Sequence, residues 1–184
     1  MFEPMRTGGF GVSGHLVMAG TFEVGEVDYW YHTPFYWLAE ENGEVILREG
    51  SRDQDVGRGE PAGALRMLSK PVFFASKLGL RIESYEGTAT THRPTGRHAT
   101  EVSVHGSPAR HTATGTMVVD RETAIVLSVA VPDGLKPDPL IRVETTRFAV
   151  HDTMDATLFG AETLDATGYY SAKYYGRPGR ADPE

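Results

Sequence analysis

Cysteine is absent from the 184 residues, which removes disulfides, thiolate metal sites, a cysteine nucleophile and a lipid-carrying cysteine from the available chemistry. Lysine is scarce: Lys70, Lys77, Lys136 and Lys173 are the four in the chain, and arginine carries most of the positive charge. With 25 acidic against 18 basic residues the formal charge is −7. No block of lysines breaks this excess, so duplex nucleic acid and anionic membrane surfaces are repelled. No apolar run reaches the roughly 18 residues that a membrane span needs, and Met1 to Arg6 has no apolar core for export. The expected location is the cytoplasm, or the exterior after a signal has been removed. Catalytic signatures are missing as well. GxSxG does not occur, and Gly8-Gly9-Phe10-Gly11 leads into a strand rather than a helix, so it makes no phosphate cradle. The seven histidines show neither His-x-His nor HExxH spacing, and no metal or cofactor is expected. His92, His98, His105 and His111 read as surface hairpin residues.

What is present is a succession of short strands in a chain of ordinary single-domain size, 40% hydrophobic and 23% charged. Phe10, Val12, Leu16 and Met18 alternate around Gly14. Val27, Tyr29 and Tyr31 share one face, with Glu26, Asp28, Trp30 and His32 on the other. Pro34 interrupts this strand and Phe35 to Ala39 resumes it. Asn42-Gly43 is a tight-hairpin pair leading into Val45 to Arg48, and Arg52 to Val56 reads as a further strand. From Pro61 the pattern turns helical: Ala62 to Leu68 fits one short helix. Ser69 is placed to cap a second, with Pro71 in its first turn and Gly79 beyond its end. Strand patterns return at Leu80 to Thr90, Ala99 to His105, Gly115 to Asp120, Ala124 to Val131 and Leu140 to Val150. Short apolar helices between two sets of strands make a lid for a sheet. The spacing predicts an α+β fold: one wide antiparallel sheet with two short helices as a lid over it. Residues 1–167 form one domain, and 168–184 a tyrosine-rich extension with a polar tail.

The order of these pieces resembles the LolA-like family, which includes lipoprotein carriers and the regulator RseB, and in particular its divergent actinobacterial members. The resemblance rests on Glu26-Val27-Asp28-Tyr29-Trp30-Tyr31 with Trp37, and on the helical insert Pro61 to Leu78. It rests also on Gly96-Arg97-His98-Ala99-Thr100-Glu101-Val102, on Met117 to Thr123, and on the closing Asp155-Ala156-Thr157-Leu158-Phe159. It implies a strongly curved antiparallel sheet, an incomplete barrel, with short helices plugging its open side and an apolar cavity beneath them.

The densest local bias is the aromatic run Tyr29, Trp30, Tyr31, Phe35, Tyr36, Trp37. These rings either line a pocket for an apolar molecule or simply pack across the sheet. His32, inside that run, is the histidine placed for a pocket role. Phe73, Phe74 and Leu78 from the lid are expected to oppose Trp30, Tyr36 or Trp37. The expected ligand-binding set is therefore Tyr29, Trp30, Tyr31, His32, Tyr36, Trp37, Phe73, Phe74 and Leu78. Asp53 and Asp55 beside Arg52 read as a solvated edge. The expected function is binding of a hydrophobic small molecule or lipid. Two alternatives use the same sequence features: a biosynthetic enzyme that shapes a reactive intermediate in the cavity, as in the violacein pathway, and a regulatory module. The latter would bind a protein, or a second copy, through a sheet edge or through Tyr169, Tyr170, Tyr174 and Tyr175.

Overall fold

The computed structural model describes residues 2, 5–6, 9–20, 25–33, 36–50, 56–57, 59–84, 86–106, 113–132, 139–161 and 164. Pro34, Phe35, Arg52, Asp53, Asp55, His111 and the four tail tyrosines lie outside them, as does the extension 168–184.

The first half is a meander of β1 (Gly11–Gly20), β2 (Glu26–His32), β3 (Tyr36–Glu41), β4 (Glu44–Glu49) and the short β5 (Val56–Gly57). Asn42 and Gly43 turn β3 into β4 with φ of 52° and 79°, the pair of positive angles that a two-residue hairpin of matching twist requires. Helices α1 (Gly59–Leu65) and α2 (Pro71–Lys77) follow, then β6 (Leu80–Ile82), β7 (Thr88–His92), β8 (Arg97–Gly106), β9 (Thr114–Asp120), β10 (Val126–Pro132) and β11 (Pro139–His151). A 3₁₀ turn at Ala156–Phe159 comes last.

All strands join one antiparallel sheet in the order β5-β4-β3-β2-β1-β11-β10-β9-β8-β6. β7 continues β6 along the same edge of β8. The pairing of β1 with β11, from Gly11 opposite His151 to Gly20 opposite Ile141, welds the two meanders. The outer edges β5 and β6 are not paired with each other, so the sheet is open rather than a closed barrel. Yet these edges are neighbours in the chain. Residues 59–78 must therefore travel from one edge to the other, and they do so across one face of the sheet.

Four expectations change. Tyr36 to Glu41 does not resume β2 but runs back against it as an antiparallel partner, with Tyr31 opposite Trp37. Leu80 to Thr90 is not one strand: the register against β8 shifts between Ile82 opposite Val104 and Thr88 opposite Glu101, and the chain bulges between. Gly87 in that bulge backs onto Thr100, Glu101 and Val102, leaving no room for a Cβ. Of the strand expected over Arg52 to Val56, only Val56 joins a described strand, as the start of β5. Ser69 does not cap α2: with Pro71 at its start the cap position falls on Lys70, which makes no side-chain cap bond.

Candidate functional site

Strand alternation divides the apolar residues between the two faces. The concave face carries Val12, Leu16, Met18, Val27, Tyr29, Tyr31, Trp37, Ala39 and Leu47 from the first meander, continued by Val102, Val104, Met117, Val119, Val129 and Ile141 from the second. Against it lie Ala62, Ala64 and Leu65 of α1, Leu68 of the link, and Phe74, Ala75 and Leu78 of α2. Because the helical segment joins both edges, it covers a face that would otherwise be the largest apolar surface of the molecule.

At the centre, Tyr31 opposes Trp37 across β2 and β3, with ring centroids 4.4 Å apart. Tyr29 lies 6.4 Å from the same indole. The Tyr29 ring passes over Gly14, its partner on β1, and a Cβ there would overlap the ring. That is the reason for glycine in the middle of β1: it admits an aromatic side chain across the strand. The Tyr29 hydroxyl and the Thr145 hydroxyl are fully buried in this apolar face, and neither makes a hydrogen bond. Burial holds the Tyr29 phenol far above its usual range, so it stays neutral; the adjacent Thr145 hydroxyl offsets part of this and the charge of Asp120 adds a little.

The expected site residues are split by the fold. Tyr29, Tyr31, Trp37, Phe74 and Leu78 meet on the concave side. Trp30 and Tyr36 do not oppose the lid. They lie on the outer face, where Tyr36, Leu38 and Phe159 form a separate cluster with Trp30, Val45, Met154 and Leu158 packed against it. The physical reason is period two. Tyr36 and Trp37 are adjacent in β3, so they point to opposite faces, and Trp30 sits between two inward tyrosines. Phe73 is 63% exposed, because helical spacing that turns Phe74 and Leu78 inward turns Phe73 out. His32 is also on the outer side, beside Tyr36 at 6.2 Å. Its Nδ1 donates to the Thr33 carbonyl at 2.8 Å. Burial lowers its pKa and the Thr33 carbonyl offsets part of this, which favours the neutral ring.

His92 departs most from the surface reading. It is buried at the end of β7, with Nδ1 2.8 Å from the Thr95 hydroxyl and Nε2 2.9 Å from Glu144 on β11. Beside it Arg97 makes a two-pronged contact with Asp120 at 2.8 and 3.1 Å, and also meets Glu122 at 2.7 Å. Asp120 is fully buried and further accepts from the Thr123 amide and hydroxyl. Glu122 is shared with Arg6 at 2.8 Å, and hydrogen bonds from the two guanidinium groups hold its carboxyl below the usual carboxylate range. The Arg97 guanidinium lies 5.4 Å from the Phe148 ring centre. None of these partners was signalled by sequence spacing. Among the described residues, no group of three or more His, Asp or Glu side chains is arranged to hold a metal, and no helix is long and apolar enough to cross a membrane.

No protein-family model matches this chain, and no curated protein matches it in a sequence search. Among solved structures the chain is similar to MucB. The crystal structure of MucB in complex with MucA(peri) aligns at 14% identity over 83% of this chain and 54% of that one, with a TM-score of 0.41. MucB alone aligns at 13% identity over 79% and 55%, with a TM-score of 0.38. The MucA/MucB complex of Pseudomonas aeruginosa aligns at 14% identity over 83% and 56%, with a TM-score of 0.40. The chain thus spans little more than half the length of the chains it aligns with.

Proposed function

We propose that the protein binds the apolar part of a small molecule or lipid between the concave face of the sheet and helices α1 and α2. The observation that carries this reading is the nature of the cover. A continuous apolar face is closed by two helices of seven residues each, and their contact with it is mostly apolar against apolar. Leu68 of this segment accepts a main-chain bond from Val126 at 2.9 Å, and Arg66 pairs with Glu49 at 3.3 Å.

Phe74, Leu65, Leu68 and Tyr29 are fully buried, so among the described residues the lid packs against the sheet with its own side chains. Binding therefore takes place by insertion: the helices lift, and the ligand's hydrocarbon replaces them against Tyr31, Trp37 and Leu47. Exchange of one apolar contact for another costs little in hydration, and new burial contributes about 25 cal/mol per Å² before ordering costs. The exposed Val72 and Phe73 give the lid an apolar outer side for first contact.

Native mass spectrometry of protein taken from its own host, followed by organic extraction, tests the reading. A stoichiometric apolar molecule is expected. An empty protein that also shows no thermal shift with lipids or long-chain alcohols would overturn it.

A further inference from the structure

The β7–β8 turn, the β9–β10 turn and the N-terminal segment line an open pocket of about 400 Å³, formed by Met5, Gly96, Arg97, His98, Arg121 and Glu122. Its walls are clipped together by main-chain bonds. The Arg121 amide donates to the His98 carbonyl at 3.1 Å, and the Arg6 amide to the Glu122 carbonyl at 3.1 Å. Behind them Arg97 is fixed by Asp120 and Glu122, and Arg6 bridges Glu122 and Asp152. Each of these carboxylates thus has a guanidinium partner, three carboxylates sharing two arginines, and Arg121 brings the cluster to charge balance. Left over are Arg121 and His98, both exposed, whose side chains have no partner among the described residues. Gly96 faces open space, since a Cβ there would meet nothing within 4 Å.

We propose that this pocket binds a small organic phosphate. The unpaired Arg121 fork supplies two parallel donors, and the His98 ring supplies a third from the neighbouring strand. Donors on two separate chain segments suit a group with three peripheral oxygens better than a planar carboxylate, which one guanidinium satisfies alone. The volume falls within the roughly 300–1,000 Å³ of small-molecule sites, much more than a bare phosphate fills. The Met5 side chain and the Gly96 backbone are left to receive the organic body. This inference is independent of ligand binding under the helices.

The test is a titration of the full chain followed by amide and imidazole NMR shifts, with phenyl phosphate, benzoate and inorganic phosphate as probes and sodium chloride as the ionic-strength control. Phenyl phosphate is expected to give saturable shifts centred on Gly96, His98 and Arg121, with an affinity about tenfold above that of benzoate or inorganic phosphate. Arg121→Gln should weaken it about tenfold, as loss of a charge-assisted bond does, while Lys77→Gln on α2 leaves it unchanged. The absence of saturable shifts, equal affinity for benzoate or inorganic phosphate, or an Arg121→Gln variant that binds as well would each overturn the proposal.

Discussion

One sheet presents two differently built faces. The concave face is a single apolar cluster running from β4 to β8, sealed by residues 59–78, and its buried polar side-chain oxygens at Tyr29 and Thr145 stand unpaired. The outer face has two smaller clusters, around Tyr36 and Phe159 and around Ala99 and Leu127. These are interleaved with directional polar links: His92 with Glu144, Arg97 with Asp120, Ser13 with His151 at 2.8 Å, and His15 with Asp28 at 2.9 Å. Apolar contact has no preferred partner and can be exchanged for a ligand's hydrocarbon. Hydrogen-bonded charge pairs fix geometry, and breaking one strands a buried charge. On the proposed reading, exchange belongs to the concave side and rigidity to the outer side.

Removing the central bond of the outer network should have the largest effect. Asp120→Ala leaves the Thr123 donors without their acceptor and the Arg97 guanidinium held by Glu122 alone, and a loss of about 3–5 kcal/mol is expected in urea unfolding. A loss below about 1 kcal/mol would mean that the outer face is not the rigid one. Phe74→Ala, which hollows the lid contact, should cost about 2–5 kcal/mol if the closed form is packed as described. Added long-chain alcohol should restore part of that loss, which it would not do for Asp120→Ala. Gly14→Ala should cost about 1–3 kcal/mol by pushing the Tyr29 ring out of place, and Tyr29→Leu in the same chain should relieve most of it.

Protonation of His32 sharpens the comparison further. Its folded pKa lies below the ordinary 6.5 because of burial, so the unfolded chain binds the proton more readily. The associated stability is present above about pH 6.5 and is lost as pH falls through the folded value. Melting curves between pH 7.5 and 5 should show a steeper loss in the native chain than in His32→Gln; equal slopes would remove His32 from the picture. The smallest effect is expected for Phe73→Ser, within about ±0.5 kcal/mol in stability, because that ring is exposed. A large loss there would show that Phe73 is part of the core.

Much of this division was legible in the chain. The alternation of Val27, Tyr29 and Tyr31 against Trp30 and His32 is what the structure has, as are the Asn42-Gly43 turn and the helical insert between two strand runs. The 3₁₀ turn that packs Phe159 onto Tyr36 coincides with Asp155 to Phe159, with Asp155 accepting from the Thr157 amide at 2.9 Å. Phe35 to Ala39 reads as strand, but its facing was not legible, because Tyr36, Trp37, Leu38 and Ala39 are all buried. A strand covered on both sides shows no alternation, and only its register against Tyr31 tells which ring points inward. The polar network was hidden for a different reason. Arg97 and Asp120 are 23 positions apart and Arg6 and Glu122 are 116 apart, so only the assembled sheet brings them together.

The chain's two tryptophans fall one on each face, Trp37 beneath the helices and Trp30 outside, and this allows a direct comparison in solution. A brominated acyl chain, whose heavy atoms quench only a ring they touch, should be titrated into Trp30→Phe, which reports from Trp37, and into Trp37→Phe, which reports from Trp30. Ligand exchange on the concave side predicts saturable quenching in the first variant and none in the second. Quenching of Trp30 to the same extent, or no saturable quenching of either ring, would contradict it.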